Sequence, residues 1–468
     1  MAAARALLLL VLLTLAPDLA SAQPADAVPT PVLTPRTPPP SRIPSAPEVP
    51  LPAPPSPELR PVQTFIIRPS IAFSEDYTDN FNRSERGQIS NLRSTIAPGL
   101  FVFIDRGFLT GQAGYTLSLH HDTSEEAIGY FNSFIGRLSW AATPRLRISA
   151  GYVLTQSDEP ERADRLNLRQ ERREFTSNTF SLDAVYSLAT IEVRPHYRLS
   201  HFTSSDQTTI SHTLGAEGSL ALDAIHALTA GYNYLDTETT RERAITVLGQ
   251  SGSSKVTGHE LNASVMRDLT ARSTAGLSGA YAERQQTTAI RDSDFTRWNL
   301  SVFNNYSLPE RLEMRTSIGV SMLNGDQSSG DPLLTTFSSL SYWFGPAIAR
   351  LLVERGFSET FGEGENFGVV ETTGASASLT YPFTPLVRGT VGVSYRENKF
   401  TGEGDPIDTG GSRAGREETT LGGTASLSVQ LLRWLGSSLE YALTDVSSTE
   451  RGRRYTENRV RLLFNAAF

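Results

Sequence analysis

The sequence predicts an all-β protein, a transmembrane up-and-down antiparallel β-barrel of about 20 strands, within about 18 to 22, with short periplasmic turns and longer extracellular loops. Three observations carry that expectation. Apolar and polar residues alternate with a period of two over roughly the last 400 residues. The breaks between alternating runs are by turns short and long. No apolar run approaches the roughly 20 residues that a membrane-crossing helix needs.

The elements follow in chain order. Arg5 precedes the apolar run ALLLLVLLTLA, Ala6 to Ala16, and Ala20-Ser21-Ala22 supplies a small-x-small cleavage pattern, so residues 1–22 read as a signal peptide for export. From Gln23 to Pro61, 15 of 39 residues are proline, which deprives the backbone of donors and favours extended polyproline II. Residues 23–62 are therefore expected to be a disordered periplasmic linker, and residues 63–468 the barrel. A linker this rich in proline cannot fold as a plug for the lumen.

Within the barrel region the strands announce their faces. In TLGGTASLSVQL, Leu421, Gly423, Ala425, Leu427, Val429 and Leu431 share one side against Thr420, Thr424, Ser426, Ser428 and Gln430. VRGTVGVSYR sets Val387, Val391, Val393 and Tyr395 against Arg388, Thr390, Ser394 and Arg396. LEMRTSIGVSM sets Leu312, Met314, Ile318, Val320 and Met322 against Glu313, Arg315, Ser317 and Ser321. Short breaks fall at 104–108, 142–146, 307–312 and 382–386, and long polar ones at 157–174, 239–255 and 401–417. Because a bilayer core offers no hydrogen-bond partners, strands can cross it only when the sheet closes on itself. Trp140, Trp298, Tyr306, Trp343, Phe344, Tyr381, Phe383 and Trp434 lie near strand ends, where interfacial girdles stand.

The final run, NRVRLLFNAAF, places Val460, Leu462, Phe464 and Phe468 in a lipid-facing row with Arg459 and Arg461 inward. A charge on the lipid side near the midplane costs about 2 to 4 kcal/mol, which fixes this phase. A row of this kind closing on Phe is an expected assembly signal for the barrel-assembly machinery. The other expected partners are outer-membrane lipid and lipopolysaccharide.

The inward charges Arg297, Glu313, Arg315, Arg388, Arg396, Glu440, Arg459 and Arg461, with hydroxyl and amide side chains between them, describe a water-lined lumen and are the candidate selectivity residues. Some 20 strands leave such a lumen wide, and arginines and acids across it set a transverse field. Small hydrophilic solutes are the expected cargo, with a structural barrel lacking transport as the alternative.

Composition excludes several classes. A net charge of −8 and a pI near 5.5 exclude a nucleic-acid partner, and the absence of cysteine excludes disulfides, thiolate metal sites and thiol nucleophiles. No catalytic or nucleotide-binding motif is present, so neither an enzyme nor a bound cofactor is expected. Adjacent His120 and His121 lie on opposite faces of a strand and cannot chelate one metal together. The carboxylates of TGEGDPID, Thr401 to Asp408, lack calcium-loop spacing and read as a solvated turn.

One stretch adds a family likeness. RPSIAFSEDYTDNFNRS, Arg68 to Ser84, a strand running into a Tyr-Thr-Asp-Asn loop, resembles the opening of the outer-membrane β-barrel porins associated with exopolysaccharide and exosortase systems. That resemblance implies a large barrel that lets exopolysaccharide cross the outer membrane of a Gram-negative cell, and it supplies no catalytic residues. The Pro-rich segment is not part of that family's pattern.

Overall fold

The computed structural model describes residues 65–468 apart from 125, 161–171, 206, 246–249, 289–291, 326–329, 361–367, 401–414 and 451. The expected signal peptide, the linker and the Thr401 to Asp408 stretch lie outside the described residues.

Every strand pairs with its neighbours in sequence, and the first pairs with the last. In order they are β1 (Phe65–Thr78), β2 (Asn91–Asp105), β3 (Leu109–Asp122), β4 (Ala127–Thr143), β5 (Leu146–Ser157), β6 (Phe175–Ser187), β7 (Ile191–Ser204), β8 (Gln207–Ala221), β9 (His226–Ile245) and β10 (Gln250–Thr270). The second half comprises β11 (Ser273–Thr288), β12 (Asp292–Leu308), β13 (Leu312–Gly325), β14 (Pro332–Phe344), β15 (Ala347–Glu359), β16 (Val369–Thr384), β17 (Val387–Phe400), β18 (Glu417–Leu432), β19 (Leu435–Ser448) and β20 (Tyr455–Ala467). β1 closes antiparallel on β20 from Ser70↔Ala467 to Thr78↔Arg459, so the 20-stranded sheet has no free edge. Closure gives every strand a partner on both sides, which an open meander cannot do.

The register sorts each strand into two faces, because residues directly opposite in an antiparallel ladder point the same way. Phe73 pairs with Phe464 and Tyr77 with Val460 on the outer face, while Asp76 pairs with Arg461 and Ala72 with Asn465 on the inner. Leu300, Val302, Ile318 and Val320 are exposed on the outside of β12 and β13, whereas Asn299, Ser301, Ser317 and Ser321 point inward. This inverts the soluble-protein pattern: the oil is outside and the polar residues are within. On β12, Trp298 and Tyr306 bracket the apolar residues, about 27 Å apart along the strand at the usual rise. Tilting by some 35 to 45° brings that to roughly 20 Å, near the height of the apolar band on a membrane barrel. Tyr342 and Phe344 stack outward at the turn end, as do Trp434 and Phe468. Trp343, placed in the girdle on sequence grounds, falls on the inward alternation of β14, because its neighbours on both sides take the outward positions.

Two local features follow from residue chemistry. The β2–β3 ladder omits Ala97 and Pro98 without changing register, as Pro98 has no N–H to give. At the β8–β9 turn, Asp223 accepts hydrogen bonds from the Ile225 and His226 amides, each 2.8 Å. The Ile225 bond, followed by the His226 ring, holds its carboxyl down to about 2.

The segment 239–255, read as a long loop, is mostly ladder. Thr239 pairs with Ser254, Thr240 with Ser253 and Ile245 with Gln250, so β9 and β10 continue as a tall hairpin. Thr-rich, proline-free sequence with β-branched residues favours strand over loop, and polarity alone misled the reading.

Candidate functional site

The lumen is the candidate site, and it differs from end to end. Many inward side chains are small and hydroxylated, among them pairs that satisfy each other across strands, while Arg137 and Arg198 are longer inward residues on β4 and β7. Ser278 and Ser301 are 2.7 Å apart, Thr229 and Ser264 2.6 Å, and Ser211 and Thr237 2.8 Å. Such pairs give these stretches of wall a polar surface that satisfies its own hydroxyls.

At the long-loop end the lumen is packed. Described residues flanking 361–367 and 161–171 turn inward from the wall. β14 pairs with β15 only up to Thr336↔Arg355, while β15 and β16 remain paired out to Glu359↔Val369. Beyond Arg355 the described ends of β15 and β16 lean inward over β14, where Val369 and Phe357 pack with Val256, Phe295 and Leu323, inward residues of β10, β12 and β13. The wall then grips the hairpin electrostatically. Arg284 Nε donates to Glu359 Oε2 at 2.9 Å, Arg297 Nη2 lies 3.1 Å from Glu359 Oε1, and Arg297 Nη1 donates to the Phe357 carbonyl at 3.3 Å.

The residues flanking 161–171 follow β5. Asp158 reaches back over β3 and β4 to Arg93 on β2, at 2.6 Å, and Arg93 also bonds Asp122 at 2.8 Å. Glu159 receives Arg172 and Arg459, and Arg172 continues to Glu457 on β20 at 2.6 Å. Glu457 is shared with Arg83 at 3.0 Å and with Thr78 at 2.9 Å, while Arg459 also bonds Asp76. The network therefore ties β2, the segment after β5, and the β1–β20 seam together across the interior. Burial alone would raise the carboxyl of Glu159, but the charges of Arg172, Arg459, Arg83 and Arg93 outweigh it and hold that carboxyl well below the usual range. Near β17 and β18, Arg416 bonds buried Glu418 at 2.6 Å and stacks over Phe400.

The sequence-predicted lumen residues divide between these regions. Arg297, Arg396 and Arg459 stand at the packed end, with Arg396 3.5 Å from Glu354. Arg461 and Glu440 face each other on β20 and β19 on the inward register. Glu313, Arg315 and Arg388 are inward and exposed at the turn end. Val460, Leu462 and Phe464 take the outward row of β20, and Phe468 stacks on Trp434. Sequence reasoning missed Glu159 and Arg172, which lie in the 157–174 break, and Glu359, at the end of β15. A buried carboxylate shared by two arginines leaves no periodic signal.

His120 stacks on Phe131 within the lumen, while Tyr197–His212 and Tyr232–His259 are hydrogen-bonded pairs on exposed positions.

No protein-family model matches the chain, and no curated protein does. Among solved structures it is similar to the FrpB iron transporter from Neisseria meningitidis, F3-3 variant, with TM-score 0.50, 13% identity, and coverage of 86% of this chain and 81% of that one. The alcaligin outer-membrane receptor FauA from Bordetella pertussis gives TM-score 0.49 and 11% identity over 86% of this chain and 76% of that chain. OpdL from Pseudomonas aeruginosa gives TM-score 0.40 and 14% identity over 86% and 98%. At such identity the FrpB likeness is one of fold, that of a large closed barrel.

Proposed function

We propose that the protein is a porin-like channel of the outer membrane, passing hydrophilic solutes through its lumen, with a polysaccharide strand as the largest cargo. One observation carries this reading: a closed barrel whose outer face is apolar between aromatic belts and whose inner face is lined by Ser, Thr, Gly and Asn with water-exposed arginines. Burying hydrocarbon-facing residues in lipid and hydrating the interior satisfies both faces at once. The fold shared with an outer-membrane transporter supports the location, and the Tyr-Thr-Asp-Asn stretch supports the polysaccharide class. In this reading the barrel performs no catalysis, and its outward row Val460, Leu462, Phe464 and Phe468 is what the assembly machinery recognises. The packed long-loop end favours a second reading, a scaffold barrel whose lumen stays shut.

Reconstitution in planar bilayers separates the two. A channel gives discrete conductance steps that added oligosaccharide blocks. Conductance at background through folded barrels would establish the scaffold instead.

A further inference from the structure

The lumen holds arginines of two kinds. At the long-loop end they are consumed by carboxylates, as with Arg93, Arg172 and Arg284. At the turn end Arg315 on β13, Arg350 on β15 and Arg388 on β17 are inward by register and exposed, and no carboxylate pairs with any of them among the described residues. The strands between them contribute inward serines. Ser339 lies opposite Arg315, Ser341 opposite Arg350 on one side and Ser378 opposite it on the other. Strand spacing puts each arginine-bearing strand about 9 to 10 Å from the next. The result is an arc of three guanidiniums spaced by hydroxyl donors, set on rigid strands rather than loops; one carboxylate shares it, Glu313, two residues from Arg315 on the same face and opposite Ser341, which leaves the arc a net charge of +2. The acids on β7 and β8 stand on a separate arc and include their own cation: Arg194 bonds Glu192 and lies opposite Glu217 in the ladder.

An unpaired guanidinium offers planar, paired donors matched to an oxyanion, and several on one wall of a lumen bounded by the low-dielectric sheet and bilayer focus the field and raise the local anion concentration. Spacing over three strands suits a ligand carrying several charges better than a lone chloride. We infer that this Arg–Ser arc is a binding site for multivalent oxyanions, carboxylated or phosphorylated polymers, admitted from the turn end; the inference rests on the channel reading above and names its substrate class.

The test compares the native barrel with the triple variant Arg315→Gln, Arg350→Gln, Arg388→Gln, whose altered side chains are exposed, with folding checked by circular dichroism. In planar bilayers under a KCl gradient, the native reversal potential should report a chloride-to-potassium permeability ratio above about 3, falling to about 1 or below in the variant. Tripolyphosphate added from the turn side should block the native channel, with roughly tenfold weaker block in the variant. A cation-selective native barrel, or equal block of both proteins, overturns the inference. Should the folded barrel conduct nothing, calorimetric titration of the detergent-solubilised protein with tripolyphosphate decides: native binding lost in the variant supports the site while the channel reading falls, and no binding by either overturns it.

Discussion

Glu159 and Ile318 show how a single residue's surroundings fix its consequences. Glu159 lies in the lumen between Arg172 and Arg459, and its folded carboxyl is held well below the usual value. A depressed carboxyl stabilises only while it is ionised more readily folded than unfolded. That contribution is complete above the unfolded value of about 4.3 and is lost as pH falls through the lower folded one. The ion pairs of Glu159 with Arg172 and Arg459 should therefore persist between pH 7 and 5 and give way only at stronger acidity. Single-channel recordings at pH 7, 5 and 3 check this, with conductance rising only at the lowest; a rise between 7 and 5 would count against it. Ile318 faces outward opposite Val302 and is 61% exposed, while adjacent Ser317 points inward. Ile318→Arg should cost about 2 to 4 kcal/mol in urea unfolding from lipid bilayers, and Ser317→Arg far less, because only the first puts charge in hydrocarbon.

At the scale of the element, the β15–β16 hairpin is expected to set how open the long-loop end is, because its ends pack against β10, β12 and β13. Its apolar contacts bring Val369 into one cluster with Val256 of β10, and the native chain has no cysteine. The double substitution Val256→Cys, Val369→Cys, bridged with a short bismaleimide, should leave conductance low and steady. The unbridged pair, lacking part of its apolar contact, should show frequent larger openings. Equal recordings from both would mean that the hairpin does not obstruct the path. The strands themselves were legible: alternation identified the phases of β13, β17, β18 and β20 because a period of two is a local property. The hairpin's inward fold was not, since it depends on Phe357 and Val369 meeting residues from β10, β12 and β13, contacts with no local trace. Likewise, Arg297 and Arg459 were legible as inward, but their carboxylate partners Glu359 and Glu159 come from distant segments. The tall β9–β10 hairpin was mistaken for a loop because its polar residues stand clear of the apolar band, where a strand needs no greasy face.

For the whole molecule, one sheet satisfies its own backbone by closing β1 on β20, and from that closure the two faces and the lumen follow. Its interior is asymmetric along the axis, with paired charges and the inward-leaning ends of β15 and β16 at one end and exposed arginines at the other. The most direct check of that organisation is a nitroxide scan of β12 and β13, one cysteine at a time from Trp298 to Tyr306 and from Thr316 to Met322, in reconstituted bilayers. Labels at Leu300, Val302, Ile318 and Val320 should collide with dissolved oxygen and be shielded from a water-soluble nickel complex, whereas labels at Asn299, Ser301, Ser317 and Ser321 should do the reverse. Uniform exposure of both sets to the nickel complex would contradict the account.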